Sequence, residues 1–320
     1  MKEFLKNISS KGVMMINNLG FSDNWKKNIN KIFNNNSNSK NHQISFNSIN
    51  SGKNLALTEC LFDDLLPYSL TSSPISSINS EDNVWIASSM YSRLSQTTDN
   101  LVVLDNEFPL GIIGGREILK GVLKNPTPYF FHDVLSAEIM NRKFYIDTRF
   151  AKLQKLLEQM KKMKRTFAII QNSKTSFSAI SIREILEIGA LCNTNIKICD
   201  LPERKIKVFK RDDPIEYLLS SLSDEETDLL MLDNESLFID HTTIIEKITG
   251  DLNFLKDVEN FLELNASVFK LANPKLIPDK LTLSEVCKMM LYMKHPYVMT
   301  TEQVFTPRDV LQALSLDLLN

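Results

Sequence analysis

Four stretches of this chain end alike. PLGIIGGREIL (109–119), FSAISIREIL (177–186), SLFIDHTTII (236–245) and EQVFTPRDVL (302–311) each pass from short apolar segments into a helical one. Glu117, Glu184, Thr243 and Asp309 hold the equivalent anchor position. The anchors recur at intervals of roughly 60–70 residues, and internal self-similarity of this kind settles an architecture before any single element does.

The unit is plainest in the second repeat. KFYI (143–146) reads as a strand and RFAKLQKLLEQMKKM (149–163) as an amphipathic helix. TFAIIQN (166–172) and FSAIS (177–181) read as two strands joined by a polar turn, and IREILEIG (182–189) as a second helix. The fourth repeat has the same order: KLI (275–277), LSEVCKMMLYM (283–293), YVMT (297–300), QVFT (303–306) and PRDVLQAL (307–314). Repeats one and three supply PISSIN (74–79) and KIKVF (205–209), then NLVVLDN (100–106) and DLLMLDN (228–234). One such unit cannot cover both faces of its own sheet, whereas two packed together can. Repeats one with two, and three with four, are therefore predicted to pair, with the junction near 191–196.

Residues 1–55 stand apart. They are rich in Asn, and Lys2, Lys6, Lys11, Lys26, Lys27, Lys31, Lys40 and Lys53 outnumber Glu3 and Asp23. Such polar sequence buries too little apolar surface to offset chain entropy. Within it, Ser22 can cap a short helix carrying Trp25, Ile29, Ile32 and Phe33 on one face. The expected organisation is a partly disordered extension (1–55), a first pair (56–192) and a second pair (193–320).

Apolar residues make up 43% of the chain, enough for full cores, and the formal net charge of −2 argues against nucleic-acid binding through bulk positive charge. Cys60, Cys192, Cys199 and Cys287 show neither CxxC spacing nor a disulfide framework, so reduced thiols in a cytoplasmic protein are expected. Val13–Ile16 is too short for a signal peptide, and no run is long enough for a membrane span. GIIGGRE (111–117) lacks the lysine of a P-loop. His42, His132, His241 and His295 are scattered without metal-ligand spacing. Asp63 and Asp64 read as a solvated acidic pair at a helix end. Neither an enzyme nor a metal site is expected, and no cofactor is required.

TPRD (306–309) carries the most chemistry. Thr306 sits where an N-cap belongs, with Pro307 at the first helical position. The free N–H groups of a helix start suit a phosphate, and the Thr306 hydroxyl can donate to the same anion. Asp309, one turn on, offers two acceptor oxygens to a pair of ribose hydroxyls. The same four residues also make an ordinary helix cap.

The strand–helix–strand–strand–helix unit with T-x-x-D spacing resembles the CBS domain, named for cystathionine β-synthase, whose paired repeats are known as Bateman modules. The resemblance covers about residues 56–320. It is most specific in ANPKLIPDKLTLSEVCKMM (272–290) and QVFTPRDVL (303–311). Four repeats in one chain are similar in layout to the γ subunit of the AMP-activated kinase. The resemblance implies an α/β (α+β) fold of four tandem repeats packed as two modules. It also implies binding of AMP, ADP, ATP or S-adenosylmethionine, and regulation of a protein partner, with a homodimer compatible with that layout.

Family members often carry basic residues before the middle strand that reach ligand phosphates. By resemblance these are Lys294 and His295 in repeat four, and Lys164 and Arg165 in repeat two. The cap positions divide the same way. Thr306, Arg308 and Asp309 serve repeat four; Ser181 and Glu184 serve repeat two. Repeat one has Gly114 in place of the hydroxyl. Repeat three has Asp240 and Thr243, with Asp224, Glu225 and Glu226 nearby to repel a phosphate. Adenine would lie near Asn273, Ile277 and Pro278, or along Arg142–Ile146 in repeat two. Gln303 and Ser178 stand where the family often has Gly, which repeat one alone keeps as Gly111. The alternative is a degenerate CBS scaffold that binds protein without nucleotide.

Overall fold

A computed structural model describes residues 45–47, 54–64, 75–256, 260–301 and 303–315. The helix expected around Trp25 lies outside them. Strands β1 (Ser45–Asn47) and β2 (Asn54–Ala56) come first. Repeat one contains β3 (Ser77–Asn79), α1 (Val84–Leu94), β4 (Asn100–Asp105), β5 (Phe108–Gly114) and α2 (Gly115–Lys124). Repeat two follows with β6 (Ile146–Thr148), α3 (Leu153–Lys162), β7 (Ala168–Gln171), β8 (Phe177–Ile180) and α4 (Ile182–Leu191). After β9 (Cys192–Asn193), repeat three has β10 (Val208–Phe209), α5 (Ile215–Leu222), β11 (Leu229–Leu232), β12 (Phe238–Asp240) and α6 (His241–Gly250). Repeat four has β13 (Lys275–Leu276), α7 (Leu283–Met290), β14 (Val298–Met299), β15 (Val304–Phe305) and α8 (Pro307–Ser315).

The element order is the one the sequence predicts. In every repeat the first strand runs parallel to the middle one, and the third runs antiparallel beside it. The matching LDN turns have a local cause. Asn106 and Glu107, at φ 47° and 70°, form the two-residue turn between Asp105 and Phe108, and Asn234 is also left-handed at φ 60°.

Two local readings are corrected. The helix expected from residue 149 begins at Leu153, because 60–62 run alongside 151–153. Phe62 N–H donates to Ala151 O at 2.9 Å, and Leu153 N–H to Cys60 O at 2.9 Å. Asp63 and Asp64 are engaged rather than solvated: Asp63 pairs with Arg149 at 3.0 Å, and Asp64 accepts from Leu61 N–H at 2.7 Å. The polar composition also concealed β1, which pairs antiparallel with β2 on one side and β9 on the other.

The sheet of each repeat uses one face to meet that of its neighbour. Val102 and Ile112 of repeat one pack with Phe167, Ile169 and Phe177 of repeat two. Leu229, Met231 and Phe238 of repeat three pack with Tyr297 of repeat four. The larger cores lie between helices. α1 and α2 share one with α5 and α6, through residues such as Ile118, Leu119, Leu218 and Ile244. α3 and α4 share the other with α7 and α8, through Leu156, Ile188, Val286 and Leu311. Burying one such side chain is worth about 1.5–3 kcal/mol. The repeats therefore close a ring within a single chain. Sheets join one to two and three to four; helices join one to three and two to four. Gly115 sits at one such closure, where a Cβ would come within 2.4 Å of His241 Cβ. No helix among the described residues is long and apolar enough to cross a membrane.

Candidate functional site

The four anchors all tie down helix starts. Glu117 accepts from Gly114 N–H at 3.0 Å, Glu184 from Ser181 N–H at 2.9 Å and Asp309 from Thr306 N–H at 2.7 Å. Repeat three reverses the chemistry: Asp240 is the cap residue and accepts from Thr243 N–H at 2.8 Å. The recurring position is thus first a fold device, a carboxylate that satisfies an otherwise free backbone N–H at the helix start.

Around the ring centre these starts meet a cavity of about 80 Å3. Its walls come from all four repeats, among them Asn100, Arg116, Arg165, Asp228, Lys294 and Arg308. That volume accommodates a few waters, whereas nucleotide-sized ligands occupy pockets of about 300–1,000 Å3.

The cations assigned to phosphate in repeats two and four are matched by carboxylates of repeats one and three. Arg165 forms a two-pronged bond with Glu117, Nη2 to Oε1 at 2.5 Å and Nη1 to Oε2 at 3.3 Å, and Nη1 also donates to Asn100 Oδ1 at 3.0 Å. Lys164, left-handed at φ 53° just past the end of α3, pairs with Glu226 at 2.7 Å. Lys294 pairs with Glu246 at 2.7 Å, and His295 Nδ1 lies 2.8 Å from Asp240 Oδ2. Arg308 grips Asp228, with Nη2 2.8 Å from Oδ1 and Nε 3.1 Å from Oδ2, and donates to Glu225 O at 2.7 Å.

Repeat four brings Thr306, Arg308 and Asp309 together, as the sequence predicts. Thr306 Oγ lies 3.0 Å from Asp309 Oδ2 and 3.1 Å from Asp228 Oδ2, and accepts from Arg308 N–H at 3.2 Å. Arg204 covers them, with Nε 3.2 Å from Asp309 Oδ1 and Nη1 3.0 Å from Asp228 Oδ2. The adenine-side residues are less united. Asn273 and Pro278 are exposed, while Ile277 belongs to the core between repeats two and four.

In repeat two, Ser181 Oγ lies 2.7 Å from Thr97 O and 2.5 Å from Glu184 Oε2. The hydroxyl has one hydrogen to give, so both contacts are satisfied when Glu184 carries a proton. Burial, reinforced by Glu187, pushes the Glu184 carboxyl up to about 7.

The other carboxylates divide by partner. Burial favours a neutral Asp228, but the Arg308 and Arg204 guanidiniums more than reverse it and hold that carboxyl far below its usual range. Glu117 is likewise held down, with burial outweighed by Arg165. Burial raises Asp309 despite Arg204. Burial opposes protonation of His295, yet Asp240 raises it overall. His241 is lowered by burial and contacts Leu222 O at 2.8 Å. No group of three or more His, Cys, Asp or Glu among the described residues could hold a metal ion.

Asp228, Arg204 and Arg116 were missed. Asp228 stands two positions after Asp224, Glu225 and Glu226, the cluster read as repelling a phosphate in repeat three, and it turns to repeat four. Arg116 immediately precedes its anchor, as Arg183 and Arg308 do in repeats two and four, and this recurrence was the signal for it; Arg204 belongs to no recurring pattern. Gly111 also has a packing role. A Cβ there would come within 2.8 Å of Met140 Sδ and 2.9 Å of Asn141 O.

Against solved structures, the fold matches a Methanocaldococcus jannaschii protein proposed as an archaeal homolog of g-AMPK. The TM-score is 0.67 at 15% identity, covering 77% of this chain and 98% of that one. The chain has a tandem CBS fold. At this identity the likeness is one of fold. An uncharacterized conserved protein of Pyrococcus horikoshii aligns over 77% of this chain and 98% of its own, at 14% identity and TM-score 0.47. A CBS domain protein of Pyrobaculum aerophilum, solved in complex with AMP, aligns over 39% of this chain and 90% of its own, at 15% identity and TM-score 0.33. No protein-family model matches the sequence, and no curated protein does.

Proposed function

We propose that this chain is a regulatory CBS protein that binds an adenosine-containing ligand at repeat four and modulates a protein partner. Its working units would be the pairs 56–192 and 193–320. The observation carrying this reading is the assembled Thr306–Asp309 pair at the start of α8, with Thr306 Oγ 3.0 Å from the carboxylate and Arg308 alongside. Together they supply a hydroxyl, an acceptor pair suited to ribose and a guanidinium at one helix start. Arg204 and Asp228 close this position, so a ligand enters by displacing Arg204. Its side chain is 20% exposed and therefore has a path outward. Binding changes a partner only if the ligand favours one of two arrangements, and movement of Arg204, which bridges Asp228 and Asp309, provides the difference.

Isothermal titration with AMP, ADP, ATP and S-adenosylmethionine tests the reading. The expected result is binding of at least one, lost in Asp309→Asn, which retains an oxygen for Thr306 N–H. Silence from all four with folded protein would leave the second reading, a CBS scaffold that binds protein without nucleotide. The matched charges and the small cavity favour that reading.

A further inference from the structure

Two acids of the run 224–228 reach beyond the repeat to which they belong. Asp224 pairs with Lys207, Glu226 with Lys164 of repeat two, and Asp228 with Arg308 of repeat four. Asp228 is the most heavily engaged. Its oxygens take both Nε and Nη2 of Arg308, Nη1 of Arg204 and the Thr306 hydroxyl, all within 3.1 Å. Those groups, with Arg308 N–H on the same hydroxyl, are what a helix start offers an anion. The anion already seated is a side chain of the protein. Asp228 and Asp309 balance Arg204 and Arg308, so a phosphate arriving at Thr306 finds both of these guanidiniums already matched and a carboxylate in its way, while Arg116, which lines the same cavity, donates to Glu225 O.

We propose that Asp228 determines specificity at repeat four: it fills the anion seat, so the site takes adenosine compounds whose 5′ substituent is neutral or cationic and rejects those bearing a 5′ phosphate. This rests on the adenosine reading above and narrows it to one ligand class. A sulfonium beside Asp228 meets a favourable charge; a phosphate meets a repulsive one.

The test uses the full chain and Asp228→Asn, titrated with adenosine, S-adenosylmethionine and AMP. In parallel, each protein is melted with and without about 10 mM inorganic phosphate, which raises Tm only for a form that binds it. The wild type is expected to bind adenosine or S-adenosylmethionine at least about tenfold more tightly than AMP, with Asp228→Asn narrowing that ratio at least about tenfold. Phosphate is expected to raise Tm of the variant and not of the wild type. Wild-type preference for AMP, an unchanged ratio in the variant, or phosphate stabilisation of the wild type would each overturn the proposal. If neither protein binds any adenosine compound, the adenosine reading fails separately. The phosphate melts then decide the role of Asp228: gain in the variant alone supports it, and gain in neither refutes it. If Asp228→Asn does not fold, the wild-type titrations and melts decide.

Discussion

Replacing Arg165 by methionine isolates the buried ion pair between repeats one and two. The Arg165 and Glu117 side chains are 7% and 6% exposed, so the pair is desolvated on both sides. Without the guanidinium, Glu117 keeps the Gly114 N–H at 3.0 Å but loses both bonds from Arg165, and Asn100 Oδ1 loses its donor. Stranding one member of a buried pair costs about 3–5 kcal/mol, out of the roughly 5–15 kcal/mol that folded proteins usually possess. For a body of this size that is a fall in Tm of about 6–20 °C. Adding Glu117→Gln removes the stranded charge, so the double variant is expected to melt well above Arg165→Met alone. Thermal unfolding by circular dichroism gives all three values. The pH dependence has a defined sign. In the wild type, the depressed Glu117 carboxyl stabilises fully above its ordinary value of 4.5 and loses that contribution as pH falls through the folded value. In Arg165→Met, burial without its main opposing cation raises the carboxyl, so the penalty is greatest at neutral pH and shrinks toward 4.5. A loss below about 1 kcal/mol, simple additivity in the double variant, or a gap unchanged between pH 7 and 4 would refute this account of the contact.

Glu184 gives the opposite slope. Its folded value of about 7 exceeds the ordinary 4.5, so its contribution is fully present below about 4.5 and is lost as pH rises toward 7. Glu184→Gln should flatten the Tm profile across that window, and an unaltered profile would mean that Glu184 is ionised throughout. Separation of residues 1–192 from 193–320 should leave both fragments without a sharp unfolding transition, because each loses half of two helix-faced cores. A monomeric fragment that melts cooperatively would count against ring closure as the source of stability.

The repeat order, the turns and the helix caps were legible because their causes are local. LDN needs only its own left-handed Asn, and T-x-x-D caps within one turn. The fate of the cations was not. Lys294 and Arg165 are visibly basic, but their partners Glu246 and Glu117 lie 48 positions away in another repeat. Asp228 lies 80 positions from Arg308. Sequence shows which residues bear charge; the ring determines which of them meet. Pairing was likewise read from uncovered sheet faces, while the larger helix-faced cores join repeats that are not neighbours in the chain.

That ordering bears on synthesis. Repeat one leaves the ribosome before the helices of repeat three that cover its own, and repeat two waits in the same way for repeat four. The Arg116–Glu225 bond spans 109 positions, which at ordinary translation rates is a delay of roughly 5–20 s. Throughout that interval the nascent protein carries open apolar helix faces. The last partner of Asp228, Arg308, emerges 80 positions after it. The ring centre therefore closes only once α8 has been made, and premature termination anywhere before α8 leaves it open.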